Sequence, residues 1–342
     1  MFFIIFQQLH LFYQINIMPF RSFLYVYPLQ VHISKKVYAF NLLFFSGYTK
    51  ITTILVKNYD IILQTRYFIY LRRRLKMIII KNGTLERIND WKDNSIYVLA
   101  DFDRTITVGN SESSWSILSK SNLVPKEYVE ERQILFNYYR PFELNESLSY
   151  ETKNKLMTEW WNKHIELFIK YQLSEEVINT AAKNPNVMSF RKGAKEFLKS
   201  MRNKNIPVII ISAGIGNFIE EFLIQNNCYF ENIYIVSNFL KFKNGIAAGV
   251  SDNVIHSSNK NEISLPPEIK KLIENRKNII LLGDSISDIQ MAREDARKDA
   301  LKIGFLDVNV DENKPYYLEQ FDVVCMNNTG YDELSQKLSV FS

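Results

Sequence analysis

The chain has 342 residues, 46% of them hydrophobic and 23% charged, an ordinary globular composition long enough for one large or two medium domains. The net charge of +5 is uneven: residues 1–76 hold ten Lys/Arg against one acid, Asp60, so the remainder carries a net −4, which argues against nucleic acid as its partner. The two cysteines, Cys228 and Cys325, form neither a disulfide framework nor a metal-ligand spacing, so a reducing, cytoplasmic compartment is expected, with both as core residues.

The chain opens on "MFFIIFQQLHLFYQINIMPF", which has no Lys, Arg, Asp or Glu. About 20 residues suffice to span a bilayer, but Gln7, Gln8, His10, Gln14 and Asn16 interrupt the run and are costly at that depth. Neither a positive start nor a small-residue cleavage site marks a signal peptide. The stretch is also too apolar for a transit peptide and poor in Arg until "LRRRLK" at 71–76. Residues 1–76 are an apolar, basic extension for which four readings stay open. They are a membrane anchor, a targeting segment, an extra structural layer, or upstream sequence absent from the working protein. In the last case Met77, which opens "MIIIKNGTLERINDW", is the start.

From residue 77 onward apolar runs alternate with amphipathic ones. "SIYVLADF" (95–102) reads as the first clear strand. Residues 111–188 then interrupt the alternation with helical periodicity and many aromatics, among them Trp115, Tyr139, Trp160 and Trp161. That insert reads as a helical cap. The core is expected to comprise 77–110 and 189–342, with strands at 206–214, 278–285 and 300–306. Helices are expected at 193–204, 216–227, 265–276 and 288–298. The strand runs are apolar without alternation, as in strands covered on both faces, and strand–helix alternation predicts an α/β fold with a parallel sheet.

In such a sheet a site forms outside the carboxyl ends of the strands. Asp101, Ser212 and Asp284 each end a predicted strand. A lone Asp there is usually a turn former or helix cap; three polar groups on three such ends point to one shared crevice.

Together "DFDRT", "IIISAG", "SSNKNE" and "GDSISD" resemble the four motifs of the haloacid dehalogenase-like phosphohydrolases. "SAGIGNFIEEFL", "VSNFLKF", "RPFEL" and "EWWNKHIEL" resemble the cytosolic pyrimidine 5′-nucleotidase branch (type III) over roughly residues 90–338. Arg104 stands where Gly or Met is commoner, and His164 where a small polar residue is expected. The resemblance implies a Rossmann-like three-layer sandwich with an inserted helical cap. It also implies Mg²⁺-dependent hydrolysis of pyrimidine nucleoside 5′-monophosphates (UMP, CMP) through an aspartyl phosphate. Another small phosphomonoester, such as phosphoserine, a sugar phosphate or a modified purine nucleotide, is the alternative substrate.

By that resemblance Asp101 is the nucleophile, and Asp103 protonates the leaving oxygen and then activates water. Mg²⁺ prefers oxygen ligands; Asp101, the Asp103 backbone carbonyl and Asp284 would supply them. Asp288, one turn past Asp284, would help through water or by orienting a ligand, with a helix-cap role as its bland alternative. The Ser212 hydroxyl and the backbone at Ala213 would hold phosphoryl oxygens, and Lys260 would balance their charge. Glu143 and, 21 residues later, His164 would face the base.

Overall fold

The computed structural model describes residues 77–341, apart from 146, 185, 187, 251–253 and 261–264. The N-terminal extension read above lies outside the described residues.

Strand β2, Ile96–Ala100, is buried at every position, and its neighbours are nearly so. Beside it run β3, Val208–Ile215, and β7, Asn278–Gly283, both parallel to it; Val98 is opposite Val208 on one side and Ile280 on the other. Adding β1 (Met77–Ile80), β4 (Ile233–Asn238), β8 (Leu301–Leu306) and β9 (Val323–Met326) gives a seven-stranded sheet in the order β1-β9-β8-β7-β2-β3-β4. Only β1 runs antiparallel, along β9. A separate hairpin joins β5 (Leu240–Lys243) to β6 (Ile246–Val250).

Alternation along these strands sorts side chains onto two faces. Val98, Val208, Ile210, Ile280 and Leu282 enter one core, while Tyr97, Leu99, Ile209, Ile211 and Leu281 enter a second. Helices cover both. Ala194–Asn203 and Gly216–Gln225 pack on the first face through Phe197, Leu198, Phe218 and Leu223. Pro267–Ile273 and Val310–Gln320 pack on the second through Ile269, Ile273 and Tyr317. The fold is therefore the expected three-layer α/β sandwich with a mostly parallel sheet.

Between β2 and β3 lies the helical insert. Its helices are α1 (Ile117–Lys120), α2 (Lys126–Leu144), α3 (Tyr150–Lys170) and α4 (Glu175–Ala182). The longest, α3, starts at Ser149, whose side chain accepts the Thr152 N–H, and buries Met157, Trp160, Trp161, His164 and Phe168 on one side. The two ends of the insert meet: Thr107 bridges Phe190, and the Ser189 N–H donates to Ser111 Oγ at 3.1 Å.

One predicted element is corrected. Residues 288–298 do not form an α-helix: a 3₁₀ turn over Ile286–Met291 ends at Ala292 in extended geometry, and turns follow. Ser285 caps that turn with a reciprocal Asp288 bond, which draws it tight from its start. Strands β1, β4, β5, β6 and β9 escape the pattern reading because each is short or lies at an edge. Cys228 and Cys325 are both free and buried.

Candidate active site

Strand order reverses at β2, which has β7 on one flank and β3 on the other, so the crevice beyond its end is the topological switch point. Asp101 emerges there, its N–H still on the ladder to the Leu282 carbonyl at 2.9 Å. Asp284 emerges next door from β7. One carboxylate oxygen each from Asp101, Asp284 and Asp288 lies within 4.8 Å of the others.

Asp288 reaches this group through the tight turn and not by α-helical spacing from Asp284. Its Oδ2 accepts the Ser285 N–H at 3.0 Å and its carboxylate lies over Gly283, where a Cβ would come within 2.5 Å of the Asp288 Cβ. Glycine at 283 is thus required by the close approach. The cap role and the cluster role of Asp288 are held by one side chain.

Lys260 closes the group. Its ammonium donates to Asp101 Oδ1 at 2.5 Å and to Asp288 Oδ1 at 2.8 Å, with all three side chains almost wholly buried. One cation among three carboxylates leaves a buried negative excess. Burial raises the Asp101 carboxyl to about 7 against the pull of Lys260, with Asp288 and Asp103 pushing the same way. Burial, then Asp101 and Asp288, raises Asp284 well above the carboxylate range. Burial would lower the Lys260 ammonium, but Asp101 and Asp288 outweigh it and hold it above the usual lysine range. An all-oxygen set with surplus negative charge fits a hard divalent cation such as Mg²⁺.

The Asp103 carboxylate turns away from this cluster. Ser114 N–H donates to both its oxygens at 3.1 Å and Ser114 Oγ to Oδ2 at 3.0 Å. Burial raises it to about 6, against these Ser114 bonds. Only its backbone carbonyl remains a candidate metal ligand. Directly after the second acid the chain turns at Arg104, whose φ of 63° lies in the left-handed region. Its N–H donates to Thr107 Oγ1 at 2.7 Å, and buried Arg191 donates to the Arg104 and Thr105 carbonyls and pairs with Asp307 at 2.7 Å. This explains why glycine is at ease at position 104.

Ser212, expected to end β3, lies within it instead, just past Ile211 where the regular pairing with β4 shifts register; it is buried and accepts the Gly214 N–H at 3.0 Å. Gly214 has no room for a side chain, since a Cβ would stand 2.0 Å from Ser114 Oγ and 3.0 Å from Ser212 Oγ; Asp103, Ser114 and Ser212 thus share one wall. The Ala213 carbonyl accepts three N–H groups: Trp115 Nε1 at 2.7 Å, Trp161 Nε1 at 2.8 Å and Asn238 Nδ2 at 2.9 Å. Two of these come from the insert.

The two residues expected at the base lie on the insert. His164 is buried between Trp115 and Trp160, at ring distances of 5.1 Å and 5.9 Å. Burial, with Arg132 adding, lowers its imidazole to about 3, and its Nδ1 has no hydrogen-bond partner among the described residues. Glu143 instead pairs with Arg140 one turn back on α2, so its carboxylate is engaged locally.

Ser114, Arg191, Thr107 and Asn238 are further residues bonded around the crevice that motif reading did not reach. Arg191 bonds a carbonyl 138 residues away, Asn238 carbonyls 17 and 25 residues away, and Ser114 the Ile215 N–H 101 residues away, while the Thr107 bonds to Arg104 and Phe102 are local turn contacts.

The sequence model of the pyrimidine 5′-nucleotidase (UMPH-1) family matches residues 102–340. A human 7-methylguanosine phosphate-specific 5′-nucleotidase is 34% identical, covering 69% of this chain and 81% of the relative. A Drosophila melanogaster protein of the same description is 33% identical over 69% of this chain and 76% of its own. Among solved structures, cytosolic 5′-nucleotidase IIIB bound to cytidine superposes with a TM-score of 0.68 at 30% identity, covering 77% of this chain and 93% of that one.

Proposed function

The chain belongs to the pyrimidine 5′-nucleotidase (UMPH-1) family, a family of phosphomonoesterases, and on that premise we propose that it hydrolyses nucleoside 5′-monophosphates to nucleoside and phosphate with Asp101 as nucleophile. The observation that carries this reading is the Asp101–Lys260–Asp288 contact beside Asp284 at the switch point of the sheet.

In the proposed reaction an Asp101 oxygen attacks phosphorus and the P–O5′ bond breaks. Asp103 gives its proton to the leaving O5′. Its carboxyl, raised to about 6, holds that proton in a useful fraction of molecules near neutrality. Water then attacks the phosphoryl-Asp101, Asp103 takes the proton, and phosphate leaves with Asp101 restored. Ser212 and the backbone beside Ala213 hold phosphoryl oxygens, and Lys260 offsets their charge. Mg²⁺ would be held by Asp101, Asp284 and the Asp103 carbonyl, with Asp288 in support; when bound it screens the repulsion between the acids and the phosphate dianion.

The helical insert, residues 111–188, acts as the cap that selects the base. Neutral His164 offers an unpartnered nitrogen beside two indoles, which suits a flat heterocycle with a hydrogen-bonding edge. UMP and CMP are the proposed pyrimidine substrates, with Glu143 as a second base contact once released from Arg140. The relatives described as 7-methylguanosine phosphate-specific favour a second substrate, 7-methylguanosine monophosphate, whose cationic ring also gains from stacking on indoles. A cytoplasmic location is proposed from the free buried cysteines and from the related enzyme described as cytosolic. Among the described residues no helix is long and apolar enough to cross a membrane.

Phosphate release from CMP, UMP, 7-methylguanosine monophosphate, phosphoserine and glucose 6-phosphate, each with Mg²⁺ and with chelator, tests this. Mg²⁺-dependent turnover of the nucleotides is expected. Preference for phosphoserine or the sugar phosphate would reject the nucleotide half of the reading.

A further inference from the structure

His256 is wholly buried, takes no part in the reaction above, and lies four residues before Lys260. Its bonding fixes its tautomer. The Ser258 N–H donates to Nδ1 at 3.2 Å, so Nδ1 carries the lone pair and Nε2 the proton. Nε2 lies 3.1 Å from Thr158 Oγ1 on α3, and that hydroxyl passes its own proton to the Asn154 carbonyl at 2.8 Å. The chain of donors thus runs in one direction, from the Lys260 loop into the helical insert.

The loop itself is tied into a knot around His256. The His256 N–H donates to Asn259 Oδ1 at 2.7 Å, and Asn259 Nδ2 returns to the Val254 carbonyl at 2.9 Å. Ile255 exchanges two bonds with the Asn238 side chain at the end of β4, both 2.8 Å. Lys260 follows directly, so its reach to Asp101 and Asp288 is set by where this knot sits. One turn beyond Thr158, Trp161 stands 6.2 Å from the His256 ring and donates to the Ala213 carbonyl. A single turn of α3 therefore touches both loops that carry phosphate-binding groups.

We propose that Thr158 and His256 form a latch through which the helical insert positions Lys260 against Asp101, making both of them positioning residues for the phosphoryl-transfer step. The proposal rests on the phosphatase reading for the role of Lys260. Engagement of the insert and placement of the ammonium become one event, so a substrate that seats the insert also completes the charge balance at phosphorus.

The test compares Thr158→Val, which removes the acceptor while keeping the shape, with Thr158→Ser, which keeps it. With CMP and Mg²⁺, Thr158→Val is expected to lower kcat roughly five- to tenfold, the value of one hydrogen bond, with little change in KM, and Thr158→Ser to restore it. In a Lys260→Ala background Thr158→Val should cost nothing more, because its effect acts through that ammonium. Independently of turnover, acylation of the Lys260 amine, read by mass spectrometry on protein without substrate, should be slow in the wild type and several-fold faster in Thr158→Val. Unchanged kcat, an equal loss in the Lys260→Ala background, or unchanged Lys260 labelling would each overturn the proposal. His256→Asn keeps an acceptor for the Ser258 N–H but falls short of Thr158; it must behave as Thr158→Val does, and it replaces that variant if the valine protein does not fold. Wild-type protein inactive on every phosphomonoester would reject the phosphatase reading alone, since the labelling result needs no turnover.

Discussion

Ser114 holds Asp103 from outside the motif that contains it: its N–H lies 3.1 Å from each carboxylate oxygen and its hydroxyl 3.0 Å from one of them. The same hydroxyl accepts the Ile215 N–H at 3.3 Å, so one serine orients the proposed acid and braces the end of β3. Ser114→Ala is expected to lower kcat about tenfold, as loss of a bond to a charged group does. Because Ser114 holds the Asp103 carboxyl down, its loss should also move the pH limb that reports this acid to higher pH. A pH–rate profile of the variant checks both; an unmoved limb would separate Ser114 from Asp103.

Asp284 shares its crevice with Asp101 and Asp288, and the single ammonium there pairs with those two. Asp284→Asn removes one repulsive charge and one proposed metal ligand. Its melting temperature in chelator should equal or exceed the wild type's, while the rise on adding Mg²⁺ should shrink. A ligand at 100 times its Kd stabilises by about 2.7 kcal/mol, so the wild-type rise is large enough for thermal melts to compare. A full Mg²⁺ shift in the variant would remove Asp284 from the metal site.

Arg191 is fully buried, pairs with Asp307, and donates to the carbonyls of Arg104, Thr105 and Thr329. Replacing it by Met keeps the length but leaves a buried carboxylate and three carbonyls without their donor. A loss of about 3–5 kcal/mol is expected in urea unfolding, as for removal of one partner of a buried pair. Arg191→Lys should recover only part, since an ammonium lacks the planar fork.

His164 and His256 are lowered by burial to about 3 and about 4. Unfolded histidine takes up a proton near pH 6.5 while the folded protein does not. Their stabilisation is therefore whole above pH 6.5 and lost as pH falls below it, by up to about 1.4 kcal/mol per pH unit for each ring. The raised acids act in the opposite sense: Asp101 favours folding at low pH and loses that contribution as pH rises toward 7. The histidine effect is hence read as a difference. His164→Gln should approach or exceed wild-type stability on going from pH 7 to pH 5 in parallel chemical denaturation.

Much of this was legible in the sequence because the active-site residues sit at the ends of long apolar runs. Asp101 and Asp284 follow β2 and β7 and Ser212 lies in the second half of β3, strands whose nearly continuous burial makes each visible without its neighbours. Sequence spacing sets Asp288 one α-helical turn past Asp284, yet it arrives by a 3₁₀ turn, because a Ser285 cap overrides the amphipathic pattern of the residues after it. The short strands β1 and β9 carry only four residues each and gain their identity from pairing with each other. The resemblance carried by "RPFEL" puts Glu143 at the base, a signal blind to Arg140 one turn away. Ser114, Arg191 and His256 bond to Ile215, Thr329 and Thr158, which are 101, 138 and 98 residues distant, so their roles exist only once the fold has brought those partners near.

The central claim, that phosphorus passes through the carboxylate at the end of β2, is tested most directly by trapping. Enzyme mixed with CMP and Mg²⁺, quenched in acid within one turnover and reduced with borohydride, should carry homoserine at position 101 and nowhere else, with none in Asp101→Asn. Turnover that continues with no reducible acyl phosphate at Asp101, or with the label on another carboxylate, would contradict it.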